Sequence, residues 1–360
     1  MVTARKIGIL TSGGDCPGLN AVIRAAVNRA YGLGCDIYGI LEGTMGLLDR
    51  PLRYRQLTPA AFDGVDMRRA GTILGTTNKG NPFAFPMADG NTQDRSQEII
   101  DGVRELGLDT LIGIGGDGSL AILRRLAQQG GFGLIGIPKT IDNDIGITEM
   151  SVGFSTVVEV ATEALDRLQP TAASHARVMV LEVMGRDAGH IALSAGIAGG
   201  ADVILIPEIA YDLEKVAAHI RKIREGGRNF ALVVVSEAVK TEGGGKRTVT
   251  YTGGEQRLGG IGHYIGERIA AMTGAETRVT VLGHVQRGAP PDAGDRILAA
   301  ALGVHAVDLA AAGKVDRMVA WSDRKVIDVP IEDAIAAYHT VDIDGALLHT
   351  ARAMGACLGD

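Results

Sequence analysis

PKTIDND, at residues 138–144, follows the apolar run 134–137, which predicts a buried strand of a parallel sheet. Pro138 has no N–H to donate to a neighbouring strand, so it marks the end of this strand. The residues after it leave the carboxyl end of the strand. Open α/β sheets bind their ligands at this edge, so the loop is a candidate functional site.

Two acidic side chains stand two positions apart in this loop, at Asp142 and Asp144. If the segment is extended, both carboxylates point to one side. Two like charges ~4 Å apart repel by about 4 kcal/mol at an effective dielectric of 20, so a partner is needed. Lys139 and Thr140 offer a cation and a donor, and a bound Mg²⁺ would offset more of the repulsion. The alternative is a turn in which the Asp and Asn side chains satisfy their own backbone.

Length and charge limit the class of protein. The 360 residues are enough for two domains or one large one, and the net charge of −6 implies no general affinity for nucleic acid or an acidic membrane. Cys16, Cys35 and Cys357 are odd in number and lack metal-ligand spacing, which indicates free thiols in a reducing compartment. Residues 1–10 are too short for a signal peptide and no apolar run approaches ~18 residues, so we expect a soluble cytoplasmic protein.

Glycine-bearing loops follow the predicted strands of the first half. A strand at 6–10 runs into TSGGDCPGLN at 11–20, and a helix is predicted from about 17 to 31. Glycines there allow a phosphate to reach backbone N–H groups at the start of the helix. The spacing is not the G-x-G-x-x-G dinucleotide fingerprint, and a turn that serves only packing is the alternative.

A second such loop, GGDGS at 115–119, follows a strand predicted at 110–114. Ser119 is the expected N-cap of the next helix, which runs through Gln129. An aspartate flanked by glycines can hold a metal while the backbone surrounds a polyphosphate. Other classes of kinase share this loop, so it does not identify the reaction by itself.

The second half repeats the alternation of strand and helix, which predicts a second doubly wound sheet. A helix is expected from 157 to 168, ending before Pro170, and a short strand near 318–321 should fall in the second half. Near 276–288, a strand at 278–282 precedes His284 and Arg287. Together with Arg278 they make a candidate anion site, and a solvated charged face is the alternative.

The chain resembles the 6-phosphofructokinase family over nearly its whole length. The motifs that carry the resemblance are TSGGDCPGLN at 11–20, GGDGS at 115–119, PKTIDND at 138–144, SHARVMVLEVMGR at 174–186 and ETRVTVLGHVQRG at 276–288. The resemblance implies an α/β fold of two doubly wound three-layer domains that face each other across an active-site cleft. The phosphoryl-donor domain would comprise residues 1–151 and about 288–314, and the fructose 6-phosphate domain 152–287 and about 315–360.

The resemblance also implies the reaction, in which the phosphoryl group of ATP passes to the C1 hydroxyl of fructose 6-phosphate. Asp142 resembles the general base, aided by Arg186 and Thr140, and Asp117 the Mg²⁺ ligand. The donor would contact Gly14, Asn78, Lys79, Gly116, Asp117, Gly118 and Ser119. The sugar phosphate would contact Thr140, Ile141, Asp142, Arg177, Met184, Gly185, Arg186, Glu237, Arg278, His284, Val285, Gln286 and Arg287.

The family further implies a homo-oligomer, with a tetramer expected first and a dimer second. Arg177 and Arg278 would then reach the sugar site of a neighbouring subunit. Guanidinium groups bind phosphate through paired donors, which agrees with arginine at these positions.

Two residues bear on the phosphoryl donor. Family members restricted to pyrophosphate usually carry an acidic residue where Gly118 stands, and glycine leaves room for the α-phosphate of ATP. Lys139 is similar to the residue of the pyrophosphate-type enzymes. A steric block is more decisive than an extra cation, so we expect ATP, with a pyrophosphate-dependent enzyme as the alternative.

Two further alternatives come from other classes of protein. Kinases of the NAD or lipid type share a Gly-Gly-Asp-Gly loop, but their second domain is rich in β-strands, whereas helices and strands alternate here. A non-catalytic sugar-phosphate sensor on the same fold would lack the base or the metal ligand, and both Asp142 and Asp117 are present.

Overall fold

Strands and helices alternate along most of the chain. The computed structural model describes residues 5–62, 66–78, 80–250 and 256–360. The strands are β1 (Lys6–Thr11), β2 (Asp36–Ile40), β3 (Tyr54–Leu57), β4 (Phe85–Pro86), β5 (Thr92–Gln93), β6 (Thr110–Gly115), β7 (Gly133–Pro138), β8 (Val178–Val183), β9 (Val203–Leu205), β10 (Ala231–Ser236), β11 (Thr248–Thr250), β12 (Gln256–Leu258), β13 (Thr277–Val281), β14 (Arg317–Ser322) and β15 (Lys325–Pro330). The α-helices are α1 (Leu19–Gly32), α2 (Met45–Leu48), α3 (Ser96–Leu106), α4 (Asp117–Gly130), α5 (Phe154–His175), α6 (His190–Ala198), α7 (Leu213–Glu225), α8 (Ile261–Thr273), α9 (Ala293–Ala312), α10 (Ile331–Ala336) and α11 (Ala346–Ala353). Among these described residues, no helix combines the length and the apolar character that crossing a membrane requires.

The first compact unit consists of Met1–Thr156 and Arg287–Tyr338. Its seven-stranded sheet has the order β15-β14-β7-β6-β1-β2-β3. The five inner strands are parallel, and the edge strands β3 and β15 run antiparallel to their neighbours. Because β7, β6 and β1 are adjacent and parallel, the loops that follow them leave the same edge of the sheet.

Helices cover both faces of this sheet. On one face α3, α4 and α10 bury apolar side chains against the strands, among them Leu123 and Ile100. On the other face α1 packs against α9, and a Cβ at Gly303 of α9 would lie 2.7 Å from the Val22 carbonyl oxygen of α1. Burial of these apolar faces is the main term that stabilises such a layer, at roughly 25 cal/mol per Å².

The second unit consists of Val157–Gln286 and His339–Asp360, and its four-stranded sheet is parallel, in the order β13-β8-β10-β9. Helices α7 and α8 pack on one face, with Ile220 and Ile265 fully buried. On the other face, α5 contributes Ala172 to a small cluster with Met179 and Leu232. Both units are therefore three-layer α/β structures, as expected.

The structure corrects the expected domain boundary near residue 314. Strand β14 pairs in parallel with β7 through Arg317 and Ile135, so residues 317–336 belong to the first unit and not to the second. Met318, Val319 and Ala320 are fully buried there. An apolar strand of this kind can complete either sheet, and tertiary packing rather than local sequence selects its partner.

Two expected helix ends are also wrong. Helix α5 continues through Pro170 to His175 instead of ending before the proline. The missing N–H of a proline removes one bond of a long helix, and packing of Ala172 on the second sheet favours continuation. Helix α4 begins at Asp117 with Gly116 as N-cap, so Ser119 lies inside the first turn and is not the cap.

Candidate functional site

The first group of candidate residues lies on the loops after β1, β6 and β7. Backbone hydrogen bonds join these loops, because Ser12 N donates to Ile114 O at 2.9 Å and Lys139 N donates to Gly115 O at 3.1 Å. Gly13 has φ +83°, a conformation that favours glycine, and a Cβ there would lie 3.2 Å from Ser119 Oγ. The GGDC and GGDGS loops therefore meet at the edge of the sheet.

The start of α4 faces this junction. Asp117 is the first helical residue, and Gly118 and Ser119 follow in the first turn. The N–H groups of a first helical turn have no partners within the helix, and the helix dipole makes this end positive. The arrangement suits a phosphate bound close to the backbone. A Cβ at Gly118 would meet no described heavy atom within 4 Å, so this position borders open space.

Lys139 and Cys16 lie buried under the first loop. The Lys139 ammonium donates to the Gly14 carbonyl oxygen, and burial lowers the pKa of this lysine. Cys16 Sγ donates to Val152 O at 3.3 Å, and burial raises the pKa of its thiol to about 12. Lys139 therefore holds the backbone of the Gly14 loop directly, a role that the sequence did not indicate.

Arg287 also reaches the Gly14 loop. Its Nη1 donates to Asp15 O at 2.6 Å, and a Cβ at Gly14 would lie 3.1 Å from the same nitrogen. The sequence placed Arg287 with His284 as part of an anion site. In the structure Arg287 belongs to the first unit and lies beside residues expected to bind the phosphoryl donor, and its expected contact with the sugar phosphate stays a prediction. It brings a permanent positive charge to this edge of the first sheet.

Asn78 follows a short segment that is hydrogen-bonded to Gly13. Thr76 Oγ1 donates to Gly13 O at 2.7 Å, and Gly13 N donates to Thr77 O at 2.9 Å. These two bonds hold the chain next to Asn78 against the first loop. Lys79, the other residue expected here, lies outside the described residues.

The loop that carries Asp142 is closed by Asn143 and Ser151. The N–H of Ser151 donates to Asn143 Oδ1 at 2.9 Å, and Ser151 Oγ lies 2.8 Å from Thr140 O. Asn143 Nδ2 in turn donates to Glu149 O at 3.0 Å. The sequence indicated a role for Asn143 only in the alternative of a turn that satisfies its own backbone. Ser151 was not singled out, because a side chain that bonds backbone across a loop leaves no periodic signal.

Asp142 is nearly buried, at 8% exposure, and its N–H donates to Thr140 Oγ1 at 3.1 Å. The same hydroxyl oxygen lies 3.4 Å from Asp142 Oδ2. Asn143 has φ +53°, in the left-handed region, so the extended segment that would direct Asp142 and Asp144 to one side is not formed. Ile141 is 1% exposed, so it packs inside the unit and presents almost no surface to a ligand.

The second group of candidate residues lies at the carboxyl edge of the second sheet. After β8, Met184 N donates to Gln286 Oε1 at 2.8 Å, and Arg186 N donates to Glu237 Oε1 at 3.3 Å. Gly185 has φ +155° and Arg186 has φ +50°, so the loop turns sharply and directs the Arg186 side chain to the surface. The structure thus brings together Met184, Arg186, Glu237 and Gln286, and their expected contact with the sugar phosphate stays a prediction.

The residues that follow β13 differ in how far their side chains are exposed. His284 and Val285 are exposed, with Val285 at 69%, whereas the side chain of Gln286 is fully buried. Gln286 therefore supports the Met184 loop and presents little surface to a ligand. His284 Nε2 lies 3.2 Å from Nη1 of Arg257, a residue that the sequence did not single out.

Arg177 and Arg278 form a third group at the opposite edge of the second sheet. Arg177 precedes β8, and Arg278 is the second residue of β13. Their guanidinium groups meet at one carboxylate oxygen, Glu276 Oε1, which lies 2.9 Å from Arg177 Nη2 and bonds Arg278 Nη2. The hydrogen bond from Arg177 lowers the pKa of Glu276. Within one chain Arg278 therefore lies apart from His284, and its expected contact with a neighbouring subunit's sugar site stays a prediction.

Comparisons with known proteins show the family to which the chain belongs. The family model described as phosphofructokinase matches residues 6–310. The chain is 62% identical over 357 residues to ATP-dependent 6-phosphofructokinase 1 of Synechocystis sp., covering 99% of both chains. It is 60% identical over 362 residues to the protein of the same name from Nostoc sp., covering 100% of both.

Solved structures share the fold. Phosphofructokinase from Saccharomyces cerevisiae superposes with a TM-score of 0.78 at 29% identity over 98% of this chain, which spans 48% of the yeast chain. A pyrophosphate-dependent phosphofructokinase from Marinobacter aquaeolei gives a TM-score of 0.79 at 21% identity, covering 98% of this chain and 92% of that one, and shows likeness of fold alone. Since the family model covers most of the sequence and the curated relatives match from end to end, this chain belongs to the phosphofructokinase family.

Proposed function

We propose that this protein is an ATP-dependent 6-phosphofructokinase, which transfers the γ-phosphoryl group of ATP to the C1 hydroxyl of fructose 6-phosphate. The products are fructose 1,6-bisphosphate and ADP. One observation carries the proposal, namely identity of 60% or more over the full length to two proteins named ATP-dependent 6-phosphofructokinase. The local geometry of both units supplies groups that this chemistry needs.

Asp142 acts as the general base in this proposal. Its carboxylate takes the proton of the C1 hydroxyl, the hydroxyl oxygen forms a bond to the γ-phosphorus, and the bond from that phosphorus to the β,γ-bridging oxygen breaks. The electron pair of the broken bond leaves with ADP. A carboxylate within reach of the hydroxyl proton contributes roughly 10²–10⁴-fold to the rate. Thr140, bonded to the Asp142 N–H at 3.1 Å, orients the base.

The start of α4 and the Gly14 loop would bind the donor phosphates. Backbone N–H groups of the first turn, with Gly116 as N-cap, provide neutral donors close to the phosphate chain. Arg287, beside Gly14, adds positive charge where negative charge develops in the transition state. Asn78 and Lys79 complete the donor residues of the proposal.

Asp117 is the residue that would hold Mg²⁺. Within the described part of the chain, no cluster of three or more His, Cys, Asp or Glu side chains could hold a metal unaided. This fits Mg²⁺ bound together with a nucleotide, since that ion commonly takes one or two carboxylates plus substrate phosphates. When bound, Mg²⁺ would neutralise charge on the phosphate oxygens.

The sugar would bind to the second-unit residues at the carboxyl edge of the sheet. Glu237 accepts the N–H of Arg186 and so fixes the loop whose guanidinium group neutralises charge during transfer. Met184 and Gly185 belong to the same loop, and His284 binds the 6-phosphate. Gln286 contributes through its support of Met184, and Val285 offers an exposed side chain next to His284.

We further propose that the protein is a homo-oligomer, with a tetramer as first choice and a dimer as second. Arg177 and Arg278 lie at the amino edge of the second sheet, whereas His284 leaves its carboxyl edge. These arginines therefore serve the 6-phosphate of a neighbouring subunit. Strand β13 is an edge strand of its sheet, so this side of the unit is open to another chain.

ATP is the proposed donor rather than pyrophosphate. The Cβ direction of Gly118 is open, which leaves volume for the α-phosphate of a nucleotide. Lys139, the residue that is similar to the pyrophosphate-type enzymes, bonds the Gly14 carbonyl oxygen inside the unit. Its ammonium therefore has a structural task that does not depend on the donor.

A coupled assay tests the proposal. The purified protein is supplied with fructose 6-phosphate, Mg²⁺ and either ATP or pyrophosphate, and fructose 1,6-bisphosphate is measured through aldolase and glycerol-phosphate dehydrogenase. We expect kcat/KM with ATP to exceed that with pyrophosphate by about tenfold or more. A preference for pyrophosphate would select the alternative enzyme, and no product with either donor would favour a non-catalytic sensor. Phosphorylation of NAD or a lipid would indicate the other class of kinase.

A further inference from the structure

The second unit contains a short antiparallel hairpin that is separate from its parallel sheet. Strands β11 and β12 lie between β10 and α8, and Val249 pairs with Arg257. The base of the hairpin is closed by Gly259 N, which donates to Arg247 O at 3.2 Å. The strands of this hairpin are mostly exposed, so burial of apolar area does not explain it.

Glu182 anchors the base of this hairpin to the central sheet. It lies within β8 at 2% exposure, and its carboxylate accepts Gly260 N at 2.9 Å and Gly262 N at 2.7 Å. These N–H groups belong to the start of α8, where a carboxylate is stabilised by unpaired donors and the helix dipole. The anchor begins three residues after Arg257, so the backbone beneath that side chain is held in a defined place.

Arg257 extends from the anchored hairpin to His284. Its Nη1 lies 3.2 Å from His284 Nε2. A guanidinium group stays protonated and can only donate, so the facing imidazole nitrogen accepts and the ring proton resides on Nδ1. Two basic side chains from separate segments thus converge on one point at the carboxyl edge of the sheet, and both are exposed.

We propose that Arg257 is a further substrate-binding residue, which contacts the 6-phosphate of the sugar together with His284. This inference rests on the proposed function, in which His284 binds that phosphate. A phosphate oxygen between the two side chains would accept a charge-assisted bond from Arg257 in place of His284. Its negative charge would favour a proton on His284 Nε2, which then donates the second bond. The hairpin would then contribute to selection of a phosphorylated sugar over a free one.

Arg247 offers a matched control on the same hairpin. Its guanidinium carbon lies 5.4 Å above the ring centroid of Tyr264, so this arginine packs on α8. Replacement of either arginine by alanine removes one positive charge from the hairpin. If general positive charge or hairpin packing matters, KM for fructose 6-phosphate should therefore rise in both variants. If Arg257 contacts the phosphate, KM should rise only in Arg257→Ala.

The test compares Arg257→Ala, Arg257→Lys and Arg247→Ala in the full chain, at saturating ATP and Mg²⁺. We expect Arg257→Ala to raise KM for fructose 6-phosphate by about tenfold or more and to leave kcat and KM for ATP within about threefold. The lysine variant should fall between wild type and alanine, and Arg247→Ala should stay within about twofold of wild type. Equal KM values for both alanine variants would overturn the inference.

Substrate choice and direct binding give independent readouts. The ratio of kcat/KM for fructose 6-phosphate to that for fructose should fall in Arg257→Ala, and the melting temperature should not change. Line broadening of the ³¹P resonance of inorganic phosphate should be weaker with Arg257→Ala than with wild type or Arg247→Ala, and equal broadening would refute the phosphate contact. Because this readout needs no turnover, it separates failure of the inference from failure of the proposed reaction.

Discussion

Arg278 and His284 lie at opposite ends of β13, and the Arg278 side chain turns away from His284 toward Glu276. About 10 Å of strand separates Arg278 from Val281 at ~3.3 Å per residue. A single phosphate cannot bridge that separation within one chain. If both residues bind the same kind of phosphate, two subunits must contribute to each site.

The first prediction tests this shared site. Arg278→Ala and Glu237→Ala should each be nearly inactive, because each removes one part of every sugar site. Unfolding and reassembling the two variants together should restore part of the activity, since some hybrid sites then hold both intact groups. Activity and native mass spectrometry should be measured on the same mixture. Mixed oligomers without recovered activity would show that one chain builds the whole site.

The second prediction concerns the base. Asp142→Asn should keep KM for fructose 6-phosphate within a few-fold and lower kcat by about 10²–10⁴, because the amide cannot take the proton. Asparagine retains the shape of the side chain and the bond from the Asp142 N–H to Thr140 Oγ1. Single-turnover kinetics should locate the loss in the chemical step. Turnover near the wild-type rate would exclude Asp142 from this role.

The third prediction concerns the donor. Gly118→Asp should lower kcat/KM for ATP by about 10²-fold or more, equivalent to about 2.7 kcal/mol. The carboxylate would fill the space that the α-phosphate needs and would repel its negative charge. The protein itself has room for the side chain, and an acidic residue in the first turn of α4 favours the helix. The melting temperature should therefore hold or rise. Gly118→Ala is the matched control and should lower kcat/KM for ATP much less. An equal loss in both variants would indicate an effect on the backbone instead.

The fourth prediction separates two roles of Lys139, namely its bond to the Gly14 loop and a charge contact with a pyrophosphate donor. Lys139→Met keeps the buried volume but removes the ammonium that bonds Gly14 O. We expect weak pyrophosphate activity to fall further than ATP activity, because pyrophosphate has fewer other contacts. ATP activity should also fall, since the Gly14 loop loses its anchor. If both donors lose the same factor, the lysine acts only through the loop.

The fifth prediction concerns the thiols. Burial raises the pKa of Cys16 to about 12, so at about pH 8 only roughly one thiol in 10⁴ is ionised in the folded protein. Iodoacetamide should therefore leave Cys16 unmodified until the chain is unfolded, as mass spectrometry of tryptic peptides can show. The folded state holds this proton more tightly than the unfolded state. The free energy of unfolding should then fall as pH rises from about 8.5 toward 12. Rapid labelling of native Cys16 would contradict the burial.

Much of the fold was predictable from the apolar runs, and the failures have identifiable causes. The strands at 110–114 and 134–137 are fully buried and read clearly in the sequence. Strand β14 was recognised but placed in the wrong unit, because its partner β7 lies far away in the chain. Pro170 suggested the end of a helix, but packing of the surrounding turns outweighs one lost hydrogen bond.

The candidate site was predictable where residues follow strands. The GGDGS loop and Asp142 lie at the expected edge of the first sheet, and Glu237 meets the Arg186 loop. The side-chain directions were not predictable, because spacing along β13 does not reveal that Arg278 turns back to Glu276 or that Arg287 bonds Asp15 O. Arg257 escaped notice because the sequence gives no sign that the hairpin returns to His284.

The division of each unit into two separate stretches has a consequence for folding during synthesis. The whole of Val157–Gln286 emerges from the ribosome before α9 and β14 of the first unit emerge. Until then, the face of α1 that α9 covers and the edge of β7 that β14 occupies have no intramolecular cover. The nascent first unit should thus be a client for chaperones that shield apolar surface, and it should become independent of them only once residue 322 has emerged from the ribosome.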